Sequence, residues 1–182
     1  MPDRPELPDP ATLDAIEDAQ IDLGSVTAYR VLVLRPGQDR ATATDFVREN
    51  TLGARWNPPG VAAIYSSLER ETAGAEGAHL MALNIPTGRF HLGELALHLE
   101  RVVDLRTEER LASVRVTRED IESNDHTSCE LIGSACAWLG MSGLLVPSAR
   151  RWPELNLVIY PGNLQEPEFI EAAGAPEDWT TA

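Results

Sequence analysis

The strongest constraint on the fold lies late in the chain. Residues 127–139 place Cys129, Ile132, Cys136 and Leu139 on the stripe of a helix with one buried face. Gly140 and Gly143 stop that helix. Two short runs follow, 144–146 (LLV) and 157–160 (LVIY), apolar almost without a break. Such runs are covered on both faces, as in the centre of a sheet. A helix with one apolar face beside two fully apolar strands implies a layered α+β core.

The remaining elements are read around that centre. Residues 27–34 (TAYRVLVL) form a strand, broken by Pro36-Gly37. Residues 38–54 are a polar loop with one helical turn around Phe46 and Val47, and 61–67 (VAAIYSS) form the next strand. Residues 68–83 turn helical, with Ala73, Glu76, Leu80 and Leu83 on one stripe. Ser66 and Glu69 stand at capping-box spacing, and Gly74 and Gly77 invite close packing or ligand approach. Pro86-Thr87-Gly88 is a turn, 101–105 a short strand and 107–112 a helical turn. A short helix over 11–21 carries Leu13, Ile16 and Ile21 and ends at Gly24. The expected organisation is one α+β domain over 25–172, a compact mixed or antiparallel β core flanked by helices. A tail and short helix (1–24) precede it, and an acidic tail with Trp179 (173–182) follows it.

Charge narrows the chemistry. All 15 basic residues are arginine, against 29 acidic ones, for a net charge of −14. Such a chain is repelled by phosphate backbones, so nucleic-acid binding is not expected. Without lysine there is no phosphate-loop lysine, Schiff-base lysine or lysine general base. Any bound anion falls to arginine forks, backbone N–H groups or hydroxyls. No apolar run reaches membrane-spanning length and no hydrophobic signal core opens the chain, so a cytoplasmic protein is expected. Cys129 and Cys136 lie two helical turns apart, too far to bond, as buried reduced thiols. His79, His91, His98 and His126 are scattered and no metal-ligand spacing occurs, so no metal is expected.

The chemistry concentrates between Gly53 and Glu76. Gly53 frees the backbone before Arg55, Trp56 anchors the loop, and Asn57-Pro58-Pro59-Gly60 makes a rigid turn. The next strand delivers Tyr65, and the helix after it delivers Glu76. An arginine, a tyrosine and a glutamate so placed suit a dianionic ligand with a sugar and an aromatic ring. Each residue also has a plainer role open to it. Glu76 could be a solvated acid, Arg30 a salt-bridged strand residue, Arg55 a loop brace, Tyr65 core and Ser148 a turn hydroxyl.

This pattern resembles the RES-domain toxins of bacterial toxin–antitoxin modules. The resemblance covers Tyr29-Arg30 in the early strand, the loop Gly53-Ala54-Arg55-Trp56-Asn57, the strand ending at Tyr65 and Glu76 in its Ala-rich helix. It extends to the segment from Gly143 through Ser148 to Arg150 and the strand from Asn156 to Tyr160. Ala54 departs from the family's second loop glycine, which matters only if a positive φ is needed there. The resemblance implies an ADP-ribosyltransferase-like fold, cleavage of NAD as substrate, and neutralisation by an Xre-type antitoxin in a hetero-oligomer. The family's arginine, glutamate and serine map onto Arg30 or Arg55, Glu76 and Ser148, with Ser128 a second candidate serine. In the chemistry so implied, Glu76 stabilises an oxocarbenium-like ribose. Arg30 and Arg55 hold the pyrophosphate, Tyr65 stacks, and Ser148 orients a hydroxyl or phosphate oxygen. Water, inorganic phosphate or a protein side chain could accept the ADP-ribose. The third possibility makes a protein-modifying ADP-ribosyltransferase, and a non-catalytic antitoxin-binding module is a further alternative.

Overall fold

The computed structural model describes residues 6–34, 37–82 and 89–179. Its elements are α1 (Pro10–Asp18), β1 (Gln20–Ile21), β2 (Gly24–Val33), α2 (Ala43–Phe46), β3 (Ile64–Ser67), α3 (Arg70–Ala82), β4 (Phe90–Leu99) and β5 (Val102–Asp104). There follow α4 (Glu108–Ser113), α5 (Arg118–Glu122), α6 (Thr127–Trp138), β6 (Gly143–Pro147), β7 (Leu155–Ile159), a 3-10 turn (Pro161–Asn163) and β8 (Phe169–Trp179). The strands form one sheet in the order β1-β5-β6-β7-β3-β2-β4-β8. Among the described strands, only β5 and β6 pair in parallel. The three helices between them supply the long crossover that parallel neighbours require. The fold is α+β, a mostly antiparallel sheet with helices.

The apolar runs that dominate the sequence do occupy the middle of the sheet. Along them, side chains alternate between faces. Leu144, Val146 and Val158 pack with Cys129, Ile132 and Cys136 of α6. Leu145, Leu157 and Ile159 pack with Leu95 and Leu97 in the second cluster. Burying each such aliphatic side chain contributes roughly 1.5–3 kcal/mol.

Several elements differ from the sequence expectation. β4 is a ten-residue strand built from Phe90 followed by Leu, His, Ala, Gly and Glu, without a β-branched residue. Nothing local marks it as β; full-length pairing with β2, Gly24 to Leu99 through Val33 to Phe90, makes it so. Residues 169–179 are not the end of a domain followed by a tail. They form β8, an edge strand with Phe169, Ile170 and Trp179 at its ends and Ala, Gly, Pro and acids between, that pairs along β4. The N-terminal segment likewise docks: Asp9 caps α1, Ile16 is fully buried and β1 pairs with β5. The helix there ends at Asp18 because residues 20–21 join the sheet. Ser66 is no helix cap, since its hydroxyl donates to the Leu157 carbonyl from within β3. The expected turn at 86–88, Leu83 and the Leu80 side chain lie outside the described residues.

Candidate active site

The loop between β2 and β3 is built around Asn57, which is fully buried. Its Nδ2 donates to the carbonyls of Val61 (2.7 Å) and Asn50 (3.2 Å), closing the neck of the loop. Gly53 has a φ of +99°, and a Cβ there would stand 3.1 Å from the Pro59 ring, so this position needs glycine. Among the described non-glycine residues, only Arg115 has a positive φ, so Ala54 suits its backbone.

Trp56 is pinned from three sides. Its N–H donates to Tyr65 Oη (2.8 Å), and its carbonyl accepts from Tyr160 Oη (3.1 Å). Gly133 on α6 lets that carbonyl come close, since a Cβ there would lie 1.9 Å from the oxygen. Tyr65 Oη in turn donates to Asn57 Oδ1 (2.7 Å). Thus the tyrosine hydroxyl anchors the loop, a role the sequence did not announce, and burial pushes its pKa up. Arg55, beside the pinned tryptophan, donates from Nη1 to the carbonyls of Ser123 (2.8 Å) and Asp120 (3.2 Å).

Arg30 is placed by a second set of packing choices. It pairs across the sheet with Gly93, where a Cβ would sit 2.3 Å from the Phe46 ring. The missing side chain therefore seats Phe46 at the end of α2. Arg30 Nη1 donates to the carbonyls of Phe46 (2.7 Å) and Arg48 (2.9 Å). No described residue accepts from its other nitrogens. Burial brings its pKa down to about 10, so the guanidinium stays charged at neutral pH.

α3 lies close on β2 because of its glycines. A Cβ at Gly77 would be 2.6 Å from Val31 Cγ1, and one at Gly74 would be 3.3 Å from Trp179. This brings Glu76 to Ser148 and Asn156. Ser148 Oγ and Asn156 Nδ2 each donate to Glu76 Oε1 at 2.9 Å. Ser148 is fully buried and accepts from the N–H groups of Arg150 (3.1 Å) and Arg151 (3.2 Å). With its lone pairs so used, its proton goes to Glu76. Asn156 Oδ1 accepts from Ser67 Oγ (2.7 Å), which fixes the amide orientation. Both bonds end on Oε1, and Oε2 accepts from no described residue. Ser128 instead serves Asp120.

Asn156 is the site residue that the sequence reading missed. Its signal was present: a lone amide at the start of an otherwise apolar strand, LNLVI.

These groups line a cavity of about 740 Å³, with Arg30, Arg55, Tyr65, Glu76, His79, His126, Arg150 and Asn156 among its walls and Ser148 directly behind Glu76. Among the described residues, Glu76 is the only carboxylate in that lining. Arg48, Arg70, Arg89, Arg101, Arg106, Arg110, Arg115 and Arg118 all pair with carboxylates. Arg30, Arg55 and Arg150 pair with none among the described residues. In a chain of net charge −14, three arginines facing one carboxylate in one cavity form a local positive site. Burial lowers the Arg55 pKa, and the charge of Arg150 adds to the effect. Burial also raises the Cys129 thiol to about 12, so it stays protonated and is no nucleophile. Among the described residues, no group of three or more His, Cys, Asp or Glu could hold a metal ion. No described helix is long and apolar enough to cross a membrane.

Fold and cavity together define a class: an α+β domain in which arginines and one firmly held carboxylate face a shared cavity. The chain belongs to the RES domain family, whose model matches residues 27–180. It is 32% identical over 105 residues to the NAD(+) phosphorylase MbcT of Mycobacterium tuberculosis, covering 53% of this chain and 56% of that protein. The MbcT of Mycobacterium bovis matches to the same extent. The chain thus spans about half the length of the curated relatives it matches. Its fold is that seen in the crystal structure of the M. tuberculosis MbcT–MbcA toxin–antitoxin complex. The TM-score is 0.76 at 24% identity, covering 94% of this chain and 93% of that one.

Proposed function

We propose that this protein is the toxin of a bacterial toxin–antitoxin pair and acts by cleaving the nicotinamide–ribose bond of NAD. The observation that carries the reading is Glu76, held through one carboxylate oxygen with the other open to the cavity, facing arginines that lack carboxylate partners. A cavity of about 740 Å³ falls within the roughly 300–1,000 Å³ of small-molecule sites. The likeness to proteins named NAD(+) phosphorylase adds support.

The chemistry asks little of the protein beyond placed charge. Nicotinamide is cationic in NAD and takes the bonding electron pair as it leaves, so no acid is needed. The barrier lies in the positive charge that grows on the ribose. Glu76 stabilises that charge through Oε2, while Ser148 and Asn156 keep the carboxylate from turning away. Arg30 and Arg55 bind the pyrophosphate, each with one Nη spent on loop carbonyls so that the fork is already oriented. The Tyr65 ring forms part of the wall against which the nicotinamide or its ribose packs.

The protein's partner in this reading is an Xre-type antitoxin that joins it in a hetero-oligomer and silences it. The two buried free thiols agree with a reducing, cytoplasmic setting. The test is release of nicotinamide from NAD by purified, antitoxin-free protein. Glu76→Gln is expected to slow release by roughly 10²–10³. An absence of release, with and without phosphate, overturns the reading. Labelled NAD marking a discrete protein instead would assign the chain to protein ADP-ribosylation.

A further inference from the structure

One buried histidine bears on the cavity without lining it. His91 in β4 is 1% exposed and pairs across the sheet with Leu32 of β2 and Asp178 of β8. Its Nδ1 accepts from the Ala41 N–H at 3.1 Å. A ring nitrogen that accepts holds no proton, so the ring's proton sits on Nε2, which lies 2.8 Å from Asp178 Oδ1. The edge strand β8 thus sets the tautomer, because its carboxylate favours the protonated Nε2.

The segment 41–48 hangs on this ring. Ala41 is buried at its entry. Thr42 N–H and Oγ1 both donate to Asp45 Oδ2, at 2.8 and 2.7 Å, which closes the single turn of α2. Four helical residues do not hold together alone, so the anchors at each end decide where α2 lies. Both anchors come from one face of β4, since positions two apart face the same way. His91 ties the entry, and Gly93 leaves room for the Phe46 ring at the exit. The carbonyls of Phe46 and Arg48 at that exit accept from Arg30 Nη1, at 2.7 and 2.9 Å. Resting on the NAD-cleavage reading, we propose that His91 is a positioning residue for Arg30. It touches no ligand; through the Ala41 N–H it fixes the carbonyls that aim the guanidinium at the pyrophosphate. Without it α2 loses its entry anchor, and the guanidinium keeps its charge but not its direction.

The test is a split between KM and kcat in NAD cleavage. His91→Phe keeps a ring of similar volume but offers Ala41 no acceptor. The KM for NAD is expected to rise roughly three- to tenfold with kcat near the parent value, a part of the roughly 10- to 150-fold carried by a whole charge-assisted bond. His91→Asn, whose Oδ1 takes the place of Nδ1, is expected to restore most of the loss. With Arg30→Gln already in place, His91→Phe is expected to add little to KM, whereas a general loosening of the fold would add the same factor in both backgrounds. An unchanged KM in His91→Phe, or an equal factor with and without Arg30, overturns the positioning and leaves NAD cleavage standing. Nitrogen NMR of the parent needs no variant that folds. There Nδ1 of His91 is expected to be unprotonated and the Ala41 amide slow to exchange; a proton on Nδ1, or a freely exchanging Ala41 amide, overturns the contact whatever the variants do. A parent that shows both signals yet releases no nicotinamide overturns the NAD reading instead.

Discussion

Asn156 gives the sharpest test of how the carboxylate is held. Its Nδ2 donates to Glu76 Oε1 at 2.9 Å, and its Oδ1 accepts from Ser67. Asn156→Ala removes one hydrogen bond to a charged group, an interaction of roughly 1.5–3 kcal/mol. If that bond holds Glu76 where ribose charge develops, kcat/KM for nicotinamide release falls about 10- to 150-fold. The KM for NAD changes little, since Asn156 is not assigned a ligand contact. Ser67, almost fully buried, loses its acceptor as well, so stability falls by roughly 1–3 kcal/mol. Denaturant unfolding separates the two effects. Asn156→Asp is harsher and more informative. It sets a second carboxylate about 3 Å from Oε1, a repulsion of roughly 6 kcal/mol at an effective dielectric of about 20. Even with half of that screened by solvent, the pair retains a proton roughly two pH units above an ordinary carboxylate. Activity of the variant should then rise with pH as that proton leaves, at roughly pH 6. An Asn156→Ala protein that folds and keeps kcat/KM within about twofold of the parent refutes the positioning argument.

Other expectations follow from the same contacts. Ser148→Ala leaves two backbone N–H groups without their acceptor and frees Glu76, so both unfolding free energy, by roughly 2–4 kcal/mol, and nicotinamide release should fall. Gly133→Ala drives a methyl group into the Trp56 carbonyl; a loss of at least about 3 kcal/mol is expected, and thermal unfolding close to the parent would show that α6 does not fix this loop. Glu168 is a structural carboxylate: despite the opposing effect of its burial, hydrogen bonds from Ser142, Arg101 and backbone N–H groups hold its pKa at about 2. Its folded-state value lies below the unfolded one, so the stability it contributes is present above about pH 4.5 and lost as pH falls towards 2. Glu168→Gln should remove that part of the acid dependence, measured as unfolding free energy against pH. An unaltered acid limb would assign the dependence to other carboxylates.

The division between what sequence and tertiary structure decide can be followed residue by residue. Periodicity sufficed for α6, β6 and β7, because burial on one face or on both leaves a direct imprint on where apolar residues fall. The loop Gly53–Asn57 was legible too, since glycine, asparagine and proline encode turn geometry locally. Composition alone excluded lysine, leaving any anion to arginine, backbone N–H groups or hydroxyls. β4 and β8 left no such imprint: between their ends most residues favour helix or loop, and pairing across the sheet makes them strands. The acidic end with Trp179 therefore read as a tail, although Trp179 sits against the two glycines that let α3 approach β2. The site divides in the same way. Arg30, Arg55, Tyr65, Glu76 and Ser148 could be named from sequence. Their present arrangement could not, because it rests on contacts between residues dozens of positions apart. Glu76 meets Ser148 and Asn156 only because α3 packs on β2 and β3, the latter paired with β7, and Tyr65 spends its hydroxyl on a loop whose position α6 sets. Residue type limits what chemistry is possible, while the sheet decides which side chains share a cavity and which of their atoms remain free to act.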